Sequence, residues 1–280
     1  MSKSEKRHIA VIYEGINAEN MLLTNMQECF LADFSEVDIF GLPADGNIYM
    51  LWKKIIDDEF ETNVIDLLKE MSVEAKTRLE EKGLKASHFA EIYLFFDYDG
   101  HAAQFSEETL TQADELCKSL GMKEIKNKRD LLERMLSVFN NETEQGKLYV
   151  SYPMIESIKE IDMNEKIYRR LYIPLEEVPQ YKQSFGEKTP YDNYSKITRE
   201  MWVIACAASI KQACLIVMDK SECTYEHFIQ DISQIEIYHA EKEKYINNKN
   251  GFFLALLNSV PLFLVEYFDK GFWDVSVSVA

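Results

Sequence analysis

Two carboxylates close the stretch IYLFFDYDGH, residues 92–101. The apolar and aromatic run Ile92 to Phe96 leads into Asp97, and Asp99 follows after Tyr98. In a continuing strand the two acids share a face, and in the turn that Gly100 suggests they converge on one point. Carboxylates held that close repel unless one takes a proton or a cation sits between them. An all-oxygen donor set of this kind suits Mg2+ or Mn2+. The plainer alternative has Asp97 capping the turn and Asp99 in solvent, and a DxD taken alone does not decide between them.

The elements around these acids sharpen the question. Ile92 to Phe96 has the pattern of a strand covered on both faces in a parallel sheet, whose C-terminal end is where ligands collect. HIAVIYEG reads as an earlier strand, His8 to Tyr13, ending in Glu14 and Gly15, and NAENMLLTNMQECFL behind it has helical spacing with Asn17 as its N-cap. EVDIFGLPADG is a second short strand closed by Gly and Pro, and a long charged helical region runs from Ile48 to Lys82. After the strand that carries Asp97, SEETLTQADELCKSL opens a helix at Ser106. Following LLERMLSVFN and the polar loop NNETEQG, the strand KLYVS delivers Ser151, and Pro153 suits the first turn of a helix, PMIESIKEI, that carries Glu156. This alternation implies an α/β domain with a mainly parallel sheet flanked by helices. The ends of parallel strands share one edge, so Glu14, Asp97, Asp99 and Glu156 would meet there and fit a divalent-metal site better than four separate caps.

Composition shifts beyond residue 163, where YIPLEEVPQYKQSFGEKTPYDNYSKIT is rich in Pro, Tyr and Lys. The expected organisation is a catalytic domain over 1–165, an irregular connector over 166–198 and a helical C-terminal extension over 199–280. MWVIACAASIKQACLIVM and FFLALLNSVPLFLVEYF, broken by Lys211 and by Pro261, read as buried helices rather than membrane spans. Cys29, Cys117, Cys206, Cys214 and Cys223 form no CxxC pair, which suggests reduced thiols in a cytosolic protein. The apolar run near the N-terminus is too short for the core of a signal peptide, which points the same way. With 48 acids against 31 bases the net charge is −17, which argues against an unaided grip on nucleic acid. A local basic patch, divalent ions over the acids or a basic partner would supply the missing positive field.

A strand ending in EG, a later one ending in DxD and a parallel α/β order together resemble the Toprim domain of topoisomerases, primases and OLD-type nucleases. The resemblance covers residues 1–165. VSYPMIESIKEI is further similar to the SNPxFExW segment of the small RloB-like members, with Ser151, Pro153 and Glu156 at the Ser, Pro and Glu; Tyr152 and Ile155 depart from the pattern. It implies Mg2+ or Mn2+ held by Glu14, Asp97, Asp99 and Glu156, the glutamate as general acid or base, and hydrolysis of DNA or RNA. The family's lysine has three candidates, Lys182, Lys188 and Lys196. No GxxxxGK[ST] sequence is present, so the resemblance implies a nuclease effector of anti-phage defence working with a separate ATPase partner, with residues 199–280 as an interface to a partner or to a second copy, or as a cover for the sheet. The competing expectation is a non-catalytic scaffold on a degenerate Toprim fold. A nucleotide-binding α/β protein fits less well, because YEGINAEN lacks the glycines that bring amides against phosphate. Three further readings stay open: His101 touches phosphate or sits in a turn, Glu142 and Glu144 extend the acidic cluster or are solvated, and Tyr191, Tyr194 and Trp202 stack on bases or fill a core.

Overall fold

The computed structural model describes residues 7–30, 37–98, 107–119, 131–185, 188–247 and 252–278. Strands β1 (Arg7–Tyr13), β2 (Val37–Pro43), β3 (Phe89–Asp97), β4 (Asn140–Asn141) and β5 (Gly146–Ser151) form a five-stranded sheet in the order β2-β1-β3-β5-β4. Two small sheets pair β6 (Ile161–Asp162) with β7 (Ile167–Tyr168), and β8 (Tyr172–Pro174) with β9 (Phe253–Ala255). The helices are α1 (Ala18–Phe30), α2 (Ile48–Asp57), α3 (Val64–Met71), α4 (Val73–Lys82), α5 (Glu107–Ser119), α6 (Leu131–Val138), α7 (Arg199–Met218), α8 (Tyr225–Asp231), α9 (Gln234–Ala240), α10 (Ser259–Tyr267) and α11 (Asp269–Ser278). The protein is thus mixed α/β with a mostly parallel main sheet flanked by helices, as the alternation of elements led one to expect. The chain divides into two compact units: Met1–Asn20, Asp33–Leu94 and His101–Leu148 form the first, and Met21–Ala32, Phe95–Gly100 and Tyr149–Ala280 the second.

In the first unit β1 is buried on both faces, with Ile9 to Ile12 fully enclosed, which explains its unbroken apolar run. It pairs in parallel with β2 from Arg7 opposite Val37 to Tyr13 opposite Pro43, and Pro43 is tolerated because β2 is an edge strand. The charged region after β2 is three helices rather than one, because it carries three N-caps. Asn47, Asn63 and Ser72 accept from the backbone N–H groups of Met50, Ile65 and Ala75 at 3.1, 2.8 and 3.1 Å. Gly83, at φ 64°, ends α4 in the left-handed conformation that glycine adopts without strain. Trp52 lies edge-on to Phe60 and Phe139 in the core, and the buried Arg134 is bonded to Asp114. The sequence gives no strong sign of β4, a two-residue strand that turns back antiparallel onto β5. Glu142 and Glu144 stand in that turn, at the start of β5.

The second unit is organised on α7. Trp202 Nε1 donates to Asn25 Oδ1 at 2.8 Å, Ser209 shares a hydrogen bond with the Tyr168 hydroxyl at 3.0 Å, and Gln212 donates to the Leu171 carbonyl at 2.8 Å. α7 is long and apolar enough to cross a membrane by length and composition, but 72% of its most apolar window is buried inside the protein. It is a core helix, as read from the sequence. Its C-terminus is capped by Lys244, which donates to the carbonyls of Ile216 and Val217 at 2.8 and 3.2 Å. Tyr191, Tyr194 and Trp202 are all buried, so they fill the core instead of offering faces to bases. The stretch read as an irregular connector contains β7, β8 and a 3₁₀ helix, Leu175–Gln183. The expectation of reduced thiols throughout needs correction: Cys214, in the last turns of α7, is disulfide-bonded to Cys223 in the loop that follows, while Cys29, Cys117 and Cys206 are free.

Successive outward N–H groups along the side of β5 away from β3 have different acceptors. Leu148 donates to Phe139 O at 2.9 Å, Val150 to the Gln234 side chain at 3.1 Å and Tyr152 to Leu257 O at 2.7 Å.

A π-helical turn, Glu241–Ile246, follows α9, and Glu241 within it is fully buried. Its Oε2 accepts from Ala255 N at 3.0 Å, and Oε1 has no hydrogen-bond partner among the described residues. Burial pushes this carboxyl well above its ordinary 4.5. The folded chain therefore keeps a proton that the unfolded chain releases, so Glu241's contribution is fully present below 4.5 and is lost as pH rises toward the folded value. Glu241→Gln should be more stable than the parent at about pH 8 and gain little at about pH 4, as read from urea midpoints. An equal gain at both pH values would show that this carboxyl is not held protonated.

Candidate functional site

Asp97 ends β3 half-buried, and its Oδ1 accepts from the backbone N–H of Ile155 at 2.8 Å. The carbonyl of Ile155 accepts from Asn258 Nδ2 at 2.6 Å. Both backbone groups of Ile155 thus bond to distant side chains, the carbonyl in addition to its place in the local helix. The segment forms a 3₁₀ helix, Ile155–Glu160, in place of the expected α-helix begun by Pro153. Asn258 also caps α10, its Oδ1 accepting from Val260 N at 3.1 Å. Ser151, at the end of β5, lies 2.9 Å from Ser259 Oγ and accepts from Ser259 N at 3.2 Å, so it secures the start of α10.

Glu156, the next residue after Ile155, is 9% exposed. Lys182 Nζ stands 3.4 Å from its Oε1, while Oε2 is buried without a hydrogen-bond partner among the described residues. A carboxylate oxygen withdrawn from water in this way is costly unless a cation or a proton compensates it. Lys182 projects from the 3₁₀ helix Leu175–Gln183 and is more than half exposed. Of the three lysines left open by the sequence, Lys182 is the one that meets Glu156.

The neighbouring acid is treated differently. Glu160, 5% exposed, is held by Arg170, whose Nε donates to Oε1 at 3.0 Å and whose Nη2 makes a second, shorter bond. The hydrogen bond to Glu160 raises the guanidinium's pKa, although burial opposes it. The Tyr181 ring lies beneath the Arg170 guanidinium at 5.6 Å, and burial pushes its phenol far above the ordinary value. That hydroxyl stays protonated at any physiological pH, so Tyr181 is no source of a phenolate nucleophile.

The four acids singled out by the sequence therefore have different standings. Asp97 bonds to the residue that precedes Glu156, and both belong to the second unit. Glu14 follows β1 in the first unit, half-buried. Asp99 and His101 lie outside the described residues. Glu142 and Glu144 are at the beginning of β5, the opposite end from Ser151, so they do not extend an acidic cluster at the strand's C-terminal end. Among the described residues no group of three or more His, Cys, Asp or Glu side chains is set to hold a metal ion.

No family model, curated protein or solved structure matches the chain. The chemistry of the site is argued from its own residues. Three of them carry little sequence signal: Asn258 reads as an N-cap ahead of SVP, but its second bond to Ile155 spans 103 residues, and neither Lys182 nor Arg170 stands in a recognisable pattern.

Asn258→Ala should strip a helix cap and remove the side-chain donor that ties the buried carbonyl of Ile155 to the start of α10. The expected cost is about 2–4 kcal/mol in chemical denaturation. A loss below about 1 kcal/mol, the scale of a cap alone, would mean that the bond to Ile155 adds nothing.

Proposed function

We propose that the chain is a divalent-metal-dependent nuclease that hydrolyses phosphodiester bonds of DNA or RNA, acting in the cytoplasm as the effector of an anti-phage defence system beside a separate ATPase protein. The observation that carries this reading is the juxtaposition of Asp97, at the C-terminal end of the middle strand of the main sheet, with the segment that holds Glu156. Ligands of open α/β sheets gather at that end of the strands. The Glu156 oxygen that has no hydrogen-bond partner among the described residues is of the hard type that suits a divalent cation. The resemblance of EG, DxD and SYPMIE to the Toprim pattern supports the same reading. These 280 residues contain no GxxxxGK[ST] sequence, and the proposal assigns ATP hydrolysis to a separate protein.

Asp97 and Glu156 are the ligands offered by the second unit, and Glu14 and Asp99 join the proposal from the sequence pattern alone. Their oxygens suit Mg2+ or Mn2+, which when bound would neutralise the scissile phosphate and stabilise the leaving oxygen. Lys182 adds a fixed positive charge against the phosphate, the more needed in a protein of net charge −17. Glu156, shielded from water, gives or takes a proton at the reacting oxygen.

A second reading has an observation of its own. Asp97 spends one oxygen on the Ile155 amide, as a purely structural residue would, and among the described residues no set of three ligands is assembled. On that reading the chain is a non-catalytic scaffold.

Asp97→Asn separates the two, because it keeps the acceptor for Ile155 and deletes the charge. Cleavage of DNA and RNA would be assayed with Mg2+ or Mn2+, with and without an ATPase encoded beside the gene. The nuclease reading expects activity to fall about a hundredfold or more, the scale of removing one electrostatic group from a catalytic site. It also expects Mg2+ or Mn2+ to raise the melting temperature of the parent and not of the variant. Full activity in a folded Asp97→Asn protein would overturn it, and collapse of the fold would favour the scaffold.

A further inference from the structure

Glu156 and Lys182 come from two different 3₁₀ helices, and nothing in the pair itself fixes one helix to the other, since 3.4 Å between an exposed ammonium and a carboxylate is a weak constraint. Arg170 makes that link. On one side it holds Glu160, in the 3₁₀ helix that carries Glu156, through two hydrogen bonds. On the other it reaches three residues in or just beyond the 3₁₀ helix that carries Lys182. Its Nη1 is 3.6 Å from Glu177 Oε2, its guanidinium covers the ring of Tyr181, and its Nη2 is 3.5 Å from Ser184 Oγ. A lysine could not replace it, because only a planar fork can hold a carboxylate with one edge and stack on a ring with its face.

We propose that Arg170 is a positioning residue for the Glu156–Lys182 pair, locking the two 3₁₀ helices so that the lysine stays over the glutamate. The contacts grade in the order this role requires. Glu160 and Tyr181, which anchor the tie, are 5% and 1% exposed, whereas Glu177 and Lys182 lie outward. The tie is therefore rooted in the core and acts on a surface side chain. Loss of Arg170 would free Lys182 to swing into solvent with little change in the enclosed elements. The role in catalysis rests on the nuclease reading of Glu156, but the positional claim does not.

Two measurements test it. In cleavage assays Arg170→Ala should lower kcat by about tenfold in the parent and cause no further loss in a Lys182→Ala background, the signature of residues acting through one another. A merely structural arginine would cost the same factor in both backgrounds, and that result would overturn the proposal. Independently of any activity, brief acylation of the folded protein with a lysine reagent, read by peptide mass spectrometry, should label Lys182 faster in Arg170→Ala than in the parent, with Lys188 and Lys196 as internal standards. Unchanged relative labelling would overturn it. If the parent cleaves nothing, the nuclease reading falls and the labelling decides alone. If Arg170→Ala does not fold, Glu177→Ala, which removes the outer contact of the tie from a half-exposed position, must still speed labelling of Lys182; no change there would equally overturn the proposal.

Discussion

The peptide groups on either side of Ile155 are tied to side chains far away in the sequence. Asp97 takes the N–H across 58 residues of sequence and Asn258 supplies the carbonyl's donor across 103. A buried backbone group has to be paired, and the N–H of a helix's first residue finds no partner within the helix. Pairing it with distant side chains makes the local geometry a product of the folded unit. The direction in which Glu156 leaves the chain is thus set by three segments at once: the end of β3, the start of α10 and the 3₁₀ turn itself. The pair with Lys182 can form only after all three are in place, so the site has no existence as a local motif.

Five of the buried acids among the described residues sort into two groups by the company they keep. Glu91, Asp114 and Glu160 each have an arginine, whose fork satisfies oxygen lone pairs and charge together. Such pairs are expected where an acid serves the fold, because an arginine left behind by truncation would be a severe liability. Neither Glu156 nor Glu241 is paired with an arginine among the described residues. Glu241 resolves the problem by protonation, with the Ala255 amide donating to one of its oxygens. Glu156 keeps a lysine at the edge of reach and an oxygen in reserve. In a protein with a surplus of 17 negative charges, the choice of which acids receive full compensation is a choice about where further positive charge can be accommodated.

Much of the sheet was legible in the sequence, and the reason is physical. β1 and the core of β3 are enclosed on both faces, so their apolar runs are unbroken, and the capped helices between them carry Asn and Ser where a terminal N–H needs an acceptor. β4 was not legible because a two-residue strand has no periodicity to detect. The 3₁₀ turn at Glu156 was read as an α-helix because Pro153 and the spacing of Ile155 and Ile158 suit either form, and the deciding bonds come from Asp97 and Asn258. The Cys214–Cys223 pairing escaped for a similar reason: its spacing has no motif, and the two sulfurs meet only because α7 stops at Asp219 in a left-handed turn that brings the chain back. Of the candidate site, the acids were visible as residue types at strand ends, whereas their partners Lys182 and Arg170 could be chosen only once two 3₁₀ helices were seen side by side.

The flank of β5 has a consequence for how the molecule can associate. A strand with unsatisfied amides at alternate positions is a template on which another polypeptide can lay down a further strand. Here the outward amides of Leu148, Val150 and Tyr152 are claimed by a backbone carbonyl, a glutamine side chain and a second backbone carbonyl. Because the three acceptors come from unrelated segments and only one is a paired strand, they cannot be peeled away as a unit by a competing chain. This flank is sealed against strand-by-strand growth, and any assembly that the protein enters through it would have to proceed by contacts between side chains.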